Sequence, residues 1–538
     1  MTKVMTRTVA VITKSACATI MPARGNIMKK RVLGALFALA SSFAISQALA
    51  ADGGTLYFGL SGEPSTLDTT INAGTPARTI RLAIHRGLVN YGADGKLSNE
   101  LAASYEVSPD ALTYTFKLRD AKFHDGSPVT AADVKASLER IKAPDSKATY
   151  KNELGVIEGI ETPDAKTVKL TLSKPFVPLI HYLALPESAI VPAAWLKQHG
   201  NDPNAAPVGA GPFKFANWER GRELTVEKFD GYYKQGKPHL DDVHYVFYGD
   251  ENTRVNALKS GDVDIIDYVP WKDAAAIEAN SDLQLASTSG PFMMLQFNTK
   301  FEPFSKPEVR QAISYAIDRA AVINTAFNGR GTPLFGIAIP EGYMGYSKDK
   351  ANYFSHDVQK AKDLLAKAGY PNGFQARLLS TSQYGFHNNT AVAVQAELAK
   401  IGIKVTLDLP DWSGRIAKNN AGDYDFLVAG TAGDIADADW LSNFFYGGKQ
   451  LVRLNNSAYF DDPTINELLD KGRVTLDPAE REKIYGQFVD RALELSPFAY
   501  LMWRDQSFGL RKNVKGFTNI PGFLTFQSGI TVEDTEVK

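Results

Sequence analysis

Apolar and polar positions alternate along this chain in patterns that predict both strands and helices. Residues 114–118 alternate with a period of two, as a half-buried strand requires. A turn is predicted at 125–128, where Asp, Gly and Pro occur together. Thr130 and Asp133 have the spacing of a capping box, and an apolar helical stripe follows through 134–141. This stretch therefore predicts a strand, a turn and a helix in succession.

Helix start signals recur in the second half of the chain. Ser305 and Glu308 form another predicted capping box, followed by apolar residues at helical spacing. A helix is predicted at 357–368, where a glycine ends it. A last long helix is predicted to begin where Asp477 caps and Pro478 occupies the first turn.

Strands are predicted between these helices. An apolar run at 55–60 predicts the first strand, and a helix at 390–401 is followed directly by a strand at 403–407. Further strands are predicted at 424–429 and 500–503. Alternating helices and strands are typical of an α/β lobe with parallel strand pairs.

Length and charge narrow the class of protein. The chain has 538 residues, of which 44% are hydrophobic. Because a single core stops growing near roughly 250–300 residues, at least two lobes are expected. The formal net charge is −1, and residues 1–50 contain basic but no acidic side chains. No clustered basic run supplies the face that a nucleic acid requires, so no nucleic-acid partner is expected.

The first fifty residues have the pattern of a secretory signal. A basic cluster at 29–31 precedes an apolar run at 32–45, and small residues at 48–50 predict cleavage before Ala51. Met28 directly before the basic cluster is the predicted translation start. A membrane anchor is the alternative, but the apolar run is shorter than the ~20 residues of a spanning helix.

The single cysteine, Cys17, lies upstream of this predicted signal. The exported protein would then contain no disulfide, no cysteine-ligated metal, no cysteine nucleophile and no lipid attachment site. A periplasmic location is expected.

The sequence contains no complete motif of a known catalytic or cofactor site. The run 231–238 nearly matches a phosphate-binding loop, but Pro238 stands where a Ser or Thr must ligate magnesium. Neither a zinc-protease H-E-x-x-H pair nor a G-x-S-x-G elbow occurs. We therefore predict no catalytic residues, no metal site and no cofactor.

Several motifs resemble those of the family 5 extracellular solute-binding proteins, the peptide-binding receptors of ABC importers. The segment 111–134 is similar to the family's signature segment. The G-x-P-x-x-L-D loop at 62–68, the P-V-G-A-G-P-F loop at 207–213 and the G-D-V-D-I run at 261–265 resemble the family in the same order. The resemblance implies a receptor, not an enzyme, with an α/β, periplasmic-binding-protein-like two-lobed fold of type II and an extra subdomain inserted in the first lobe.

The resemblance also implies a domain layout. Lobe I would be built from three separate segments, and the lobes would be joined by two nearly rigid crossings, at 292–298 and 499–505, about which they close on a ligand. The expected segments are the N-terminal extension with the signal peptide at 1–50, lobe I at 51–92, the inserted subdomain at 93–206, lobe I again at 207–291, lobe II at 292–505 and the C-terminal part of lobe I at 506–538.

The predicted ligand site centres on the loop at 430–440. In peptide-binding relatives this loop carries an aspartate that pairs with the peptide's ammonium group, and Asp434 falls at that position, with Ala432 and Gly433 before it. A carboxylate buried between closed lobes would need such a cation. The alternative is that Asp434 caps a turn.

Dipeptide-binding relatives also hold the ligand carboxylate with an arginine, which the equivalent stretch 380–387 lacks. A longer peptide, or a non-peptide solute such as an opine, a sugar or a metal chelate, would suit Gln383, Tyr384 and His387 better. Trp412 and Trp440 are candidates for stacking on the ligand, although tryptophans are more often core residues.

These observations predict a periplasmic receptor that captures a peptide-like solute and presents it to an ABC permease. The permease subunits are the expected partners, the ATPase subunit is an indirect one, and a monomer is expected. Two alternatives stay open: a receptor for a non-peptide solute, and a periplasmic hydrolase or folding factor built on the same architecture.

Overall fold

A computed structural model describes residues 53–200, 202, 205–448, 456 and 458–538. The predicted signal peptide, its cleavage site and Cys17 lie outside the described residues. In the part of the chain that is described, no helix is long and apolar enough to cross a membrane.

Strands and helices are interspersed along the chain. The strands are β1 (Thr55–Leu60), β2 (Val89–Tyr91), β3 (Leu97–Asn99), β4 (Ala102–Val107), β5 (Thr113–Leu118), β6 (Ile157–Asp164), β7 (Thr167–Leu172), β8 (Phe213–Glu219), β9 (Glu223–Lys228), β10 (Asp242–Phe247), β11 (Ile265–Ile266), β12 (Leu283–Phe297), β13 (Thr332–Pro333), β14 (Gln375–Leu379), β15 (Lys404–Asp408), β16 (Phe426–Thr431), β17 (Phe498–Arg511), β18 (Val514–Lys515) and β19 (Glu536–Val537).

The helices are α1 (Thr75–Ile84), α2 (Ala131–Lys142), α3 (Lys151–Leu154), α4 (Leu179–Leu183), α5 (Ala193–His199), α6 (Glu251–Ser260), α7 (Trp271–Glu278), α8 (Glu302–Ser305), α9 (Pro307–Ala316), α10 (Arg319–Phe327), α11 (Lys348–Ala351), α12 (Val358–Lys367), α13 (Gly385–Ala399), α14 (Trp412–Ala421), α15 (Ser442–Phe445), α16 (Pro463–Val474) and α17 (Pro478–Leu495). Short 3-10 stretches occur at Pro186–Ser188, Ala438–Leu441 and Gly522–Asp534.

One large mixed sheet extends through both predicted lobes. Its strands lie in the order β15-β14-β16-β12-β17-β11-β1-β10-β9-β8, and β13 pairs with β17. At one end β1 pairs in parallel with β10 and β11, and at the other β14 pairs in parallel with β15 and β16. The prediction of an α/β fold with parallel strand pairs is therefore confirmed. The lobe boundaries remain predictions, since the sheet is continuous across them.

The two longest strands, β12 and β17, form an antiparallel pair at the centre of this sheet. The predicted crossing 499–505 lies within β17, and the crossing 292–298 lies within β12 except for Asn298, the residue after it. Their register shifts between Ser289 and Phe292. Gly290 lies in this irregular stretch with a φ of +158°, and a Cβ there would overlap the backbone of Gly522. The sheet is thus irregular at the point where it passes from one half to the other.

A separate antiparallel sheet, in the order β4-β5-β7-β6, lies in the predicted inserted subdomain and is packed by α2. Phe116 and Val168 of this sheet and Leu138 of α2 are fully buried. The start of α2 agrees with the predicted capping box, because Asp133 Oδ2 accepts a hydrogen bond from the backbone N–H of Thr130 at 2.9 Å.

Helix starts agree with prediction where the cap is local. Asp357 accepts from the N–H of Lys360 at the start of α12, and Asp477 accepts from the N–H of Glu480 at the start of α17. The capping box predicted at Ser305 is wrong, because Ser305 ends α8 and its hydroxyl donates to the Glu302 carbonyl. The next helix, α9, begins two residues later at a proline.

Candidate functional site

A cavity of about 300 Å³ is lined by segments from both predicted lobes. One wall comes from the loop after β1, the start of α1, Tyr268 and Phe526. The opposite wall comes from the start of α13, the first turn of α14 and the residues at and after the end of β16. A molecule in this cavity would therefore touch both predicted lobes.

Five of the eight residues predicted from sequence line this cavity. They are Gln383, Tyr384, His387, Trp412 and Asp434. Gln383 Oε1 accepts a hydrogen bond from the backbone N–H of Trp412 at 3.1 Å, so the amide ties the two chain segments of this wall together. The rings of His387 and Trp412 lie edge to face, 5.8 Å apart.

The other three predicted residues lie behind the wall. Ala432 is buried, and Gly433 packs so closely on the ring of Phe523 that a Cβ would come within 2.8 Å of it. Trp440 is only 1% exposed and packs on the rings of Phe292 and Phe523, 5.9 and 5.1 Å away. Trp440 is thus a core residue, packed among these rings and away from the cavity surface.

The charge of Asp434 is already paired within the protein. Arg78 Nη1 lies 3.0 Å from Asp434 Oδ1, and Arg78 Nε lies 3.0 Å from Glu187 Oε1. Burial by itself lowers the pKa of Arg78, but Glu187 and Asp434 outweigh it and raise that pKa well above its ordinary value. Asp434 therefore has a partner within the protein, which it shares with Glu187, and its role as an anchor for a ligand ammonium stays a prediction.

Arg415 is a cavity residue that the sequence analysis missed. It lies on α14, whose start is capped by Asp411, and its side chain is buried at 2% exposure. Nη2 donates to the Val428 carbonyl at 2.8 Å, and the guanidinium carbon lies 4.9 Å from the centre of the Trp412 ring. Nε and Nη1 have no hydrogen-bond partner among the described residues. A basic residue one helical turn after a candidate stacking tryptophan, on a helix with no acidic residue, was the available signal.

His387 lies beside Arg415 on the same wall and is uncharged near neutral pH. Burial lowers the pKa of His387 well below its usual value, and the positive charges of Arg415 and Arg504 lower it further. Its Nδ1 has no hydrogen-bond partner among the described residues. The imidazole therefore offers the cavity a neutral polar group next to a cation.

Tyr268, also missed from sequence, forms an aromatic surface on the opposite side. Its backbone has a φ of +44°, the left-handed region that a tyrosine rarely adopts. Its hydroxyl lies 3.1 Å from the Thr75 hydroxyl, and its ring lies nearly parallel to that of Phe386, 6.1 Å away. Flat rings with a few fixed polar groups are typical of a small-molecule site.

The cavity wall carries polar and aromatic groups of the kinds that line small-molecule sites. Within the described residues, no group of three or more His, Cys, Asp or Glu side chains is arranged to hold a metal ion. The chemistry offered by the wall is aromatic surface, amide and hydroxyl groups, and one guanidinium without an acidic partner.

Two α/β lobes that share a central pair of long strands, with a cavity between them, define the class of two-lobed solute-binding proteins. The chain belongs to the bacterial extracellular solute-binding proteins of family 5: the model of the middle part of that family matches residues 96–451. The predicted family and fold class are confirmed, and the chain is a solute-binding protein of the kind that serves ABC transporters.

Its relatives bind different solutes. The glutathione-binding protein GsiB of Escherichia coli O6:K15:H31 is 33% identical over 482 residues, which are 88% of this chain and 93% of GsiB. The solved structure of AgaA from A. tumefaciens R10, in complex with agropinic acid, is 72% identical with a TM-score of 0.88, covering 90% of this chain and 99% of AgaA. DppA from Helicobacter pylori, in complex with the peptide STSA, is 26% identical with a TM-score of 0.83, covering 90% and 98%.

Proposed function

We propose that this protein captures an opine acid, agropinic acid or a close analogue, in the periplasm and delivers it to an ABC permease. One observation carries the proposal: a relative that is 72% identical over 90% of this chain has been solved with agropinic acid. The cavity supports it, because about 300 Å³ is at the lower end of the range of roughly 300–1,000 Å³ for small-molecule sites.

The role is proposed to be binding and release, with the permease subunits as partners and a monomer as the working form. The solute would contact both cavity walls and thereby favour the closed arrangement of the lobes, which the permease would distinguish from the open one. The relatives named above are binding proteins, and this favours a receptor over a hydrolase or a folding factor.

A small peptide-like solute is the second candidate. GsiB is named for glutathione and DppA was solved with a tetrapeptide, and Asp434 lies at the cavity wall as the resemblance to peptide receptors implies. The cavity volume favours a compact molecule such as glutathione over a long peptide.

Thermal unfolding with a small solute panel tests the proposal. Agropinic acid, glutathione and the peptide STSA are each added to the purified protein at equal concentration. Agropinic acid should raise the melting temperature, because a ligand at about 100 times its Kd stabilises the native state by about 2.7 kcal/mol. A rise with glutathione or STSA, but not with agropinic acid, would reject the opine and favour the peptide-like candidate.

A further inference from the structure

Arg415 is the charged residue of the cavity wall that has no oppositely charged partner among the described residues. Arg78 is held by Glu187 and Asp434. Glu63 accepts from the N–H of Gly221 at 3.1 Å and lies 3.4 Å from Arg220. Burial lowers the pKa of Arg415 to about 10, and the interaction that opposes this comes from Tyr424, not from a carboxylate.

Other buried arginines of this protein have guanidinium groups whose hydrogen bonds are satisfied by backbone carbonyls. Arg319 donates from Nε to the carbonyls of Leu334 and Tyr500, and from Nη1 to three further carbonyls. Arg310 likewise donates to carbonyls through Nε, Nη1 and Nη2. Such carbonyl contacts satisfy a buried guanidinium without an acid. Arg415 has one such contact and two nitrogen atoms without any.

Arg415 lines the cavity, and its guanidinium is held in a fixed position. The Val428 carbonyl holds Nη2, and the ring of Trp412 lies against the guanidinium. A planar cation fixed in this way is suited to donate hydrogen bonds to a carboxylate, since little side-chain freedom is lost on binding. An unpaired buried charge is costly, so an anion bound there would stabilise both partners.

The groups around Arg415 add positive rather than negative charge. His387 offers a neutral ring, and Arg504 lies behind the wall with its guanidinium carbon 5.0 Å from the centre of the Phe386 ring. Arg504 Nε and Nη2 have no hydrogen-bond partner among the described residues. Two cations thus lie close to the cavity, while the carboxylates of its wall, Glu63 and Asp434, each have a basic partner.

We propose that Arg415 binds a carboxylate group of the solute and that the cavity therefore selects anionic solutes over their neutral analogues. This inference deepens the proposed function, because it assigns the acid group of the solute to a named residue. The position differs from that of the carboxylate-binding arginine in dipeptide-binding relatives, which would fall within 380–387.

Calorimetric titration with an acid and its neutral counterpart tests this inference. Agropinic acid and its methyl ester are titrated into the wild type, Arg415→Gln and Lys418→Gln. Lys418 is the matched control, because it lies on the same helix and its ammonium contacts Asp408 at 2.6 Å. The wild type should bind the acid on the order of 10- to 100-fold more tightly than the ester, the effect of one charged hydrogen-bonding partner.

Arg415→Gln should lose that preference, and Lys418→Gln should keep it. An acid affinity within about three-fold of wild type in Arg415→Gln, or equal wild-type affinities for acid and ester, would overturn the inference. Circular dichroism and the melting temperature check that the variants fold. If Arg415→Gln does not fold, the test uses Arg415→Lys instead, together with the ratio of acid to ester affinity in the wild type.

Parallel titrations with glutathione and STSA separate this inference from the proposed function. If the wild type binds glutathione or STSA but not agropinic acid, and Arg415→Gln weakens that binding, the opine is rejected and the carboxylate site stands. If agropinic acid binds equally well to the wild type and to Arg415→Gln, the opine stands and the carboxylate site is rejected. If none of the three binds the wild type, both are rejected.

Discussion

Asp434 and Arg415 are two charged residues of the cavity wall that differ in how their charges are balanced. The carboxylate of Asp434 is paired with Arg78, whereas the guanidinium of Arg415 has no acidic partner among the described residues. A peptide receptor that anchors an ammonium group would need the reverse arrangement, a free acid. The aspartate that the family resemblance points to thus has a partner within the protein.

Replacing Asp434 by Asn should affect stability more than binding. Arg78 would keep Glu187 but lose its second acid, and partial loss of a buried pair should lower the free energy of unfolding by about 2 kcal/mol. Binding of agropinic acid should change by less than about three-fold. Urea unfolding and calorimetric titration measure the two quantities.

The control for this substitution is Asp94→Asn, whose carboxylate is largely exposed and should affect neither quantity. A large loss of affinity in Asp434→Asn with unchanged stability would contradict the internal pairing. In that case Asp434 would be a ligand anchor, as the family resemblance implies.

The C-terminal segment Gly522–Asp534 is an element held in place by buried charge. Glu533 accepts from Arg86 Nη2 at 2.6 Å, from the Tyr232 hydroxyl at 2.6 Å and from Lys234 Nζ at 2.8 Å. Burial by itself raises the pKa of Glu533, but Arg86, Lys234 and Tyr232 outweigh it and lower the pKa to about 2. These contacts fix the segment beside the helix α1, against which it packs.

This lowered pKa predicts a pH dependence of stability. A carboxyl group with a folded pKa below its unfolded value of about 4.5 stabilises the fold above pH 4.5, and this contribution is lost as the pH falls toward 2. The difference corresponds to about 3 kcal/mol. Glu533→Gln should lower the free energy of unfolding by about that amount at pH 7 and lose less stability between pH 4.5 and 3 than the wild type. Urea unfolding across that pH range is the measurement, and equal slopes in both proteins would contradict it.

Local sequence signals predicted the elements whose ends are determined by nearby residues. Asp357 and Asp477 cap the helices that follow them directly, so their positions were predictable. The helix predicted at 390–401 instead begins at Gly385, where the N–H of Gly385 donates to Glu251 at 3.0 Å. Since this cap is 134 residues away in the chain, no local pattern could indicate it.

In the candidate site too, features set by nearby residues could be predicted and features set by distant residues could not. The wall residues Gln383, Tyr384 and His387 could be predicted because the family resemblance points to that segment. The partner of Asp434 could not, because Arg78 lies 356 residues earlier in the chain. Arg415 was missed because an arginine on an amphipathic helix is usually solvent-exposed, and only the folded structure brings it to the cavity.

In the molecule as a whole, contacts other than the solute also join the two halves. The strands β12 and β17 run through both, and Glu251 of α6 caps α13 at the rim of the cavity. Glu278 at the end of α7 forms a two-pronged ion pair with Arg330, which follows α10, with distances of 3.0 and 2.5 Å. These contacts would stabilise a closed arrangement in part before a solute binds.

Replacing Glu278 by Gln should weaken closure without touching the cavity. Both side chains are partly exposed, so the ion pair is worth less than about 1 kcal/mol, and the affinity for agropinic acid should fall by less than about five-fold. Because salt screens such a pair, the difference from wild type should shrink at high ionic strength. Small-angle scattering should show a larger radius of gyration for the solute-free variant. The control is Glu480→Gln, whose partner Lys483 lies on the same helix. An unchanged radius and affinity at low salt would show that the pair does not couple the two halves.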